Sequence, residues 1–472
     1  MEVQHLSRSR DRKLLVSVFD AQEAREAILG GGRIIDSEDP RSALGNIKPR
    51  QIMAISDAVL GSKRDLDIQL STNIGEDQLL FDRSETGQAL QKSPYEIAGK
   101  AAQAAIGVSC AMGTRVHPSN LVKVGVDGMR VELVGEVLAE VVDTLNRTEQ
   151  YSHCQVMSVL FAQDMSIWEE RRALDAVRRV MVGLREFHPA RDVPDEEAER
   201  EARGIFDLRD QAVGTLRSWD NRPLFSNRAE VSLGRLIQLE VLPEGSDHSY
   251  VALNELFPHQ KYFPHIARGR RTTREVIKAM VDATADAGAH AIMLDTRIQS
   301  KVARVSLLDT SSDGLVDLNA FDVRDGIARR GILSLEDVRF FVDYCHYRNI
   351  EANLAGSFQS YQAQQVWVQV PEVDQVSTRG GSSGVAIDPY VSQGGDDTRQ
   401  HRIIKRTLVR GLAPPEFGGV LNIPADWEGN AEALDAVREV ERRIQDGRAR
   451  QGLPKLETYF VDRTGKARPS SR

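Results

Sequence analysis

Residues 14–40, LLVSVFDAQEAREAILGGGRIIDSEDP, combine an apolar strand, a short helical pattern and a second apolar strand that ends in Asp36, Glu38 and Asp39. The helical stretch stops at Gly30, Gly31 and Gly32, a run that terminates helices. A strand ending in carboxylates after a βα unit is how an α/β barrel presents reactive groups at its C-terminal rim. The alternation then recurs along the chain. Candidate strands lie at 14–19, 33–37, 67–72, 121–126, 155–161, 291–295, 352–356 and 375–378. They are rich in Val, Ile and Leu on both faces, as parallel strands covered on both sides must be. Helical patterns at 94–106, 133–145, 273–287 and 335–347 separate them, and 398–411 is expected to supply an eighth helix. Ser334, with Asp337 in the first turn, reads as an N-cap. Eightfold βα alternation predicts a TIM (β/α)8 barrel of the α/β class. The alternative is an open doubly wound sheet, but Phe19, Asp20, Ala21 and Gln22 after the first strand carry no glycine-rich dinucleotide fingerprint.

Four regions follow. Residues 1–162 carry the first five strands, and 272–412 carry strands six to eight. Residues 163–271 form a large, mostly helical insertion after strand five, ending in LFPHQKYFPHIARGRR. A βα-loop insertion projects from the active-site face, so a lid or partner-docking role stands beside the plainer reading of a solvated decoration. Residues 413–472 add a C-terminal helical extension, with a charged helix at 431–446 and a polar tail, 464–472, expected to be disordered.

Composition narrows the partners. The formal net charge is −8 and the pI about 5.8, which argues against nucleic acid. No apolar run reaches the roughly 18 residues that span a bilayer, so no membrane partner is expected. MEVQHLSRSRDRK does not read as a secretory signal, and a cytoplasmic location is expected. Cys110, Cys154 and Cys345 lack metal-ligand spacing and read as reduced core thiols. No metal and no cofactor is assigned. The expected partner is a phosphorylated small molecule, with a homo-oligomer or a protein partner reached through the insertion.

Five blocks carry a resemblance. The opening segment followed by SALGNIKP, then LSTNIGE (70–76), VKVGVDG (122–128), AIMLDT (291–296), and LAGS (354–357) with VSTRGG (376–381), occur in order. Together they resemble the (5-formylfuran-3-yl)methyl phosphate synthases, TIM-barrel lyases of methanofuran biosynthesis. The resemblance implies chemistry that joins two molecules of glyceraldehyde 3-phosphate into a furan aldehyde, losing one phosphate and water, through a lysine Schiff base. It places Asp36, Lys123 and Asp295 at functional positions. Two lysines of the family pattern are replaced here: the lysine of D-x-K-N-P by Glu38, and one after the sixth strand by Gln299.

Aldol chemistry on a phosphorylated triose needs an electron sink, an acid/base and a phosphate cradle. Lys123 lies in the apolar strand LVKVGV, where burial would lower its pKa toward the neutral amine an imine requires. The competing reading is a charge-pairing lysine facing Asp36 or Glu38, which would oppose imine formation. Lys301, two residues from the replaced lysine position, is a lesser candidate. Asp36, Glu38 and Asp295 supply the catalytic carboxylates, and the same set could bind a divalent cation. No histidine stands at a strand's C-terminal end: His153 and His290 lie at strand starts, and His259 and His265 in the insertion. Gly356 and Ser357 end strand seven; Arg379, Gly380 and Gly381 end strand eight. Those loops are where TIM barrels bind phosphate through exposed backbone N–H groups, and arginine adds a planar fork. The plainer reading is a Gly/Ser turn with a surface arginine. His117, Trp168 and Trp367 read as structural.

Two functions from different classes therefore stand. One is a carbon–carbon or carbon–oxygen lyase or synthase acting on small phosphorylated aldehydes. The other is a non-catalytic relative that binds a sugar phosphate or a protein partner. A metal-dependent isomerase or epimerase is a third, weaker reading.

Overall fold

The computed structural model describes residues 12–39, 47–62, 67–74, 81–83, 89–91, 98–99, 102, 119–126, 131–149, 151–162, 273–296, 306–308, 331–356, 358–385, 402–417, 419–462 and 464–470. Eight strands close into one all-parallel barrel in sequence order: β1 (Lys13–Val18), β2 (Ile34–Ser37), β3 (Gln69–Asn73), β4 (Leu121–Gly125), β5 (Gln155–Phe161), β6 (Ala291–Asp295), β7 (Glu351–Ala355) and β8 (Gln375–Thr378). The seam closes where β8 pairs with β1, Leu14 opposite Val376. This is the TIM barrel expected from the alternation. The period of two along each strand sorts side chains to two faces. Leu15, Ile34, Leu121, Met157, Val159 and Met293 form an inner cluster. Their neighbours Leu14, Val16, Ile35, Val122, Leu160 and Ile292 belong to the outer core beneath the helices.

The helices on that outer face are α1 (Ala21–Leu29), α2 (Pro49–Ser62), α3 (Val131–Asn146), α4 (Thr273–Asp286), α5 (Leu335–Tyr347) and α6 (Ser360–Gln369). Asp20 caps α1 by accepting from the backbone of Gln22 and Glu23. The Gly30 N–H closes the helix on Glu26 and Ala27. Ser334 caps α5 through the Asp337 N–H, as its sequence position predicts. The expected 94–106 helix lies mostly outside the described residues, and the 163–271 insertion lies wholly outside them. Among the described residues, no helix is long and apolar enough to cross a membrane.

Two C-terminal expectations are corrected. Residues 398–411 are not one helix. Arg402–Ile404 (β10) pairs antiparallel with Ser383–Val385 (β9), and only Arg406–Leu412 is helical (α7). The β-branched Ile403 and Ile404 favour the strand, and the Ile404 N–H donates to Glu23 rather than to a helical carbonyl. The 464–472 tail is not disordered where it is described. Ala467–Pro469 (β13) pairs with Thr458–Val461 (β12), which lies parallel to Leu421–Pro424 (β11). This three-stranded sheet packs with the long helix α8 (Ala431–Arg450) through Ile423, Val437, Val440, Ile444 and Phe460.

The extension explains the odd composition of α6, SYQAQQVWVQ, which is buried on both sides. Tyr361 and Val368 enter the core of the extension, while Val366 and Trp367 enter that of the barrel. Gln364 donates to the carbonyls of Gly411 and Ala413, and Trp367 Nε1 to that of Leu412. These bonds satisfy carbonyls at the end of α7 that have no partner inside that helix. Trp367 is thus structural, as read from the sequence.

Candidate active site

Inward positions near the strand C-termini turn from apolar to polar. On β1 the inner face runs Leu15 then Ser17, on β2 Ile34 then Asp36, and on β4 Leu121 then Lys123. The register sets Ser17 opposite Asp36, Asp36 opposite Ser71, and Asn73 opposite Lys123. Lys123 reaches across β3 to the carboxylates of β2. Its Nζ donates to Asp36 Oδ2 at 2.6 Å and to Glu38 Oε2 at 2.8 Å. Asp36 Oδ2 also accepts from Ser17 Oγ at 3.0 Å. Asp36 is 0% exposed and Lys123 2%.

Electrostatics follow from the burial. Burial drives the Glu38 carboxyl up to about 8; the Lys123 ammonium opposes that rise and Asp36 adds to it. Burial alone would lower Lys123, but the charges of Asp36 and Glu38 outweigh it and hold the ammonium well above the ordinary lysine value. The charge-pairing alternative for Lys123 is therefore the arrangement in the structure. Among the described residues Lys123 uses two of its three N–H donors. The ammonium also occupies the place between Asp36 and Glu38 where a divalent cation would sit, and no group of three or more His, Cys, Asp or Glu among the described residues could hold a metal.

Asp295 ends β6 on the inner face, next to Phe161 in register, and its Oδ1 accepts from the Thr296 N–H at 2.6 Å. Gln299, Lys301 and Ser357 lie outside the described residues. Gly356 ends β7 at φ +150, a conformation that favours glycine. A Cβ on Gly381 would lie 1.9 Å from the Phe358 carbonyl oxygen, so the loops after β7 and β8 approach as only glycine permits. Gly380–Ser382 form a single 3-10 turn there.

Arg379 is tied inward. Its Nη1 donates to the Ser17 carbonyl at 2.9 Å, and Nη1 and Nη2 donate to the two Glu23 oxygens at 3.0 and 3.1 Å. Glu23 also accepts from the Phe19 N–H and from the Ile404 N–H. One carboxylate thus joins the β1–α1 turn, the β8 loop and β10 at the barrel seam. Glu23 and Ser17 escaped the sequence reading, although Ser17 shows a usable signal as a polar residue at an inward position of an apolar strand. His290 faces Glu351 at 3.8 Å beside the strand starts, away from the polar rim. Burial pushes the Cys154 thiol up to about 12 and raises that of Cys345, as suits unreactive core thiols.

Among solved structures, the chain is similar to thiamine phosphate pyrophosphorylase from Pyrococcus furiosus (TM-score 0.30, 10% identity, covering 86% of this chain and 97% of that one). It is also similar to N-(5'-phosphoribosyl)anthranilate isomerase from Pyrococcus furiosus (TM-score 0.30, 9% identity, covering 85% and 96%). A third is octameric ribulose-1,5-bisphosphate carboxylase/oxygenase from Pyrococcus horikoshii OT3 (TM-score 0.36, 8% identity, covering 92% and 65%). No curated protein matches the chain by sequence. The family model described as 4-HFC-P synthase matches residues 14–182, the stretch that carries β1 to β5 with Asp36, Glu38 and Lys123; the sixth-, seventh- and eighth-strand blocks lie beyond it. Over that stretch the chain is similar to the 4-HFC-P synthase family.

Proposed function

We propose that this protein is a lyase or synthase that makes or breaks a bond beside the carbonyl of a small phosphorylated aldehyde. The observation that carries this reading is the buried Asp36–Lys123–Glu38 cluster at the C-terminal rim of β2 and β4. The family match over the same strands supports it.

Each group has a role that follows from its surroundings. Lys123, held protonated, offers its remaining N–H to the substrate carbonyl oxygen. Glu38, poised near 8, takes the proton from the carbon beside that carbonyl. The C–H electron pair then delocalises onto the oxygen, where the ammonium stabilises the enolate charge. The enolate carbon can attack a second aldehyde, or the sequence can run in reverse to cleave that bond. Asp36 anchors Lys123. The turn after β8 and the end of β7, with Gly356, Ser357, Arg379, Gly380 and Gly381, receive the phosphate. Three of the five Arg379 N–H groups are already engaged, so backbone N–H groups carry much of that contact.

The non-catalytic reading has one observation in its favour: Lys123 is paired with Asp36 and Glu38 within the protein itself. Deuterium exchange separates the two. In D2O, wild type should exchange the C2 proton of glyceraldehyde 3-phosphate faster than the enzyme-free control, and Glu38→Gln should not. Borohydride should trap no lysine adduct. Exchange no faster than the control would transfer the protein to the binding class, and a trapped adduct on Lys123 would restore the imine.

A further inference from the structure

We infer that Glu351, at the end of the barrel opposite the candidate site, is a positioning residue for that site: through Gln375 and Asn353 it fixes the direction of the Ser377 hydroxyl, in the layer that holds Asp36 and Lys123. The inference rests on the proposed role of that cluster and adds residues from β7 and β8, which lie beyond the family match.

The stagger of a TIM barrel, about one residue per strand, sorts inner side chains into layers of four from alternate strands. The register places Asp36, Lys123, Met293 and Ser377 in one layer, with Ser377 on β8 across the barrel from Lys123 on β4. Leu15, Ser71, Met157 and Asn353 make the layer beneath, in keeping with the 4.0 Å between Asn353 Nδ2 and Met157 Sδ. Gln375 and then Glu351 follow, each one layer lower.

A chain of hydrogen bonds climbs through these successive layers. Gln375 Nε2 donates to Glu351 Oε2 at 2.7 Å, Asn353 Nδ2 to Gln375 Oε1 at 2.8 Å, and Ser377 Oγ to Asn353 Oδ1 at 2.7 Å. Gln375, Asn353 and Ser377 are buried, whereas Glu351 is partly exposed beside His290. Barrel interiors are dominated by bulky branched residues, so a polar chain there is costly unless every member is paired. This chain also has a direction, and Glu351 sets it. A carboxylate only accepts, so Gln375 must turn its Nε2 downward. Its Oε1 then faces Asn353, which must turn its Nδ2 downward in turn, and Asn353 Oδ1 takes the Ser377 hydrogen. The rest of Ser377 Oγ can only accept. From β8, the layer of Asp36 and Lys123 therefore meets lone pairs and no donor. That adds to the negative field that keeps Lys123 charged and resists ionisation of Glu38, whose charged neighbours are Lys123 and Asp36. A hydroxyl hydrogen turned into the layer would act in the opposite sense.

Reversing the chain tests this. Glu351→Lys puts a donor at its foot, whereas Glu351→Gln keeps an oxygen for Gln375 Nε2. The Glu38 carboxyl is followed by carbon NMR in protein labelled at glutamate Cδ, its signal assigned by its loss in Glu38→Gln. It should titrate in Glu351→Gln as in wild type, at about 8. In Glu351→Lys it should titrate lower by about half a unit, and that shift should largely vanish in a Ser377→Ala background. If Glu351→Lys fails to fold, Glu351→Ala, which releases the direction, should shift the titration in the same sense by less. A lowered unfolding midpoint with an unmoved titration would make the chain purely structural and overturn the inference. A shift of equal size with and without Ser377 would be the direct field of the new charge and would overturn it too. The titration needs no turnover: a shifted Glu38 in a protein that exchanges no C2 proton would sink the proposed reaction and leave the positioning role standing.

Discussion

Replacing Glu38 by Gln should raise stability at alkaline pH while removing activity. Glu38 is buried against Lys123 and Asp36, and its carboxyl is driven from 4.5 up to about 8. A carboxyl whose folded value exceeds its unfolded value favours the folded state when protonated. Its contribution is full below 4.5 and is lost as pH rises through about 8. In that window the native state holds one proton that the unfolded chain has released. Stability should therefore fall by up to about 1.4 kcal/mol per pH unit from this residue, reaching a few kcal/mol by pH 8. Glutamine imitates the protonated acid: its oxygen can still accept from Lys123, and its amide can donate to Asp36. Guanidinium unfolding of both proteins from pH 5 to 8.5, followed by tryptophan fluorescence, measures the difference. The two should be close at pH 5, and Glu38→Gln should be the more stable at pH 8. C2 exchange should fall by about 100-fold or more, the usual contribution of a positioned acid/base. Parallel pH profiles would refute the electrostatic account of Glu38, and a variant less stable than wild type at pH 8 would reverse its sign.

Three further outcomes follow from the same contacts. Lys123→Met leaves Asp36 and Glu38 buried without their cation, and should cost about 3–5 kcal/mol in chemical denaturation at pH 7. Glu23→Gln removes the counter-charge of Arg379 and weakens the acceptor for the Phe19 and Ile404 N–H groups; about 2–3 kcal/mol should be lost, together with some affinity for inorganic phosphate. Gly381→Ala forces a methyl group against the Phe358 carbonyl, so the two loops must separate at a cost of about 1–3 kcal/mol, read from the unfolding midpoint.

Much of the barrel was legible because each strand is apolar on both faces, a pattern helices do not share. All eight strand positions from the sequence coincide with barrel strands to within about two residues at their ends. The helices α2 and α6 were not legible. In α6 the glutamines look like a surface, and only the extension packed over them makes that face interior. The short strands of the extension were hidden for the same reason, since pairing between 421–424 and 458–461 depends on a long return through α8. At the rim, strand position marked Asp36 and Glu38 and the family resemblance marked Lys123, yet the balance between burial and charge on Lys123 needed distances. The grip of Glu23 on Arg379 joins residues 356 positions apart, and no local pattern announces it.

The charge at position 38 decides which chemistry Lys123 can perform. Glu38 gives the ammonium a second acceptor beside Asp36, and the two together keep it protonated. Glu38→Lys would recreate the D-x-K order of the family pattern and reverse that field. Two ammoniums would then share Asp36 in a buried site, where desolvation and like charge both favour loss of a proton from one of them. A neutral amine beside the carbonyl subsite should form an imine, and wild type should form none. Borohydride with glyceraldehyde 3-phosphate should trap one adduct in this variant, mapped by mass to the introduced lysine or to Lys123, and none in wild type or Glu38→Gln. A Glu38→Lys protein that unfolds cooperatively, still binds glycerol 3-phosphate and yet yields no adduct would show that the charge at this position is not what withholds imine chemistry from the fold.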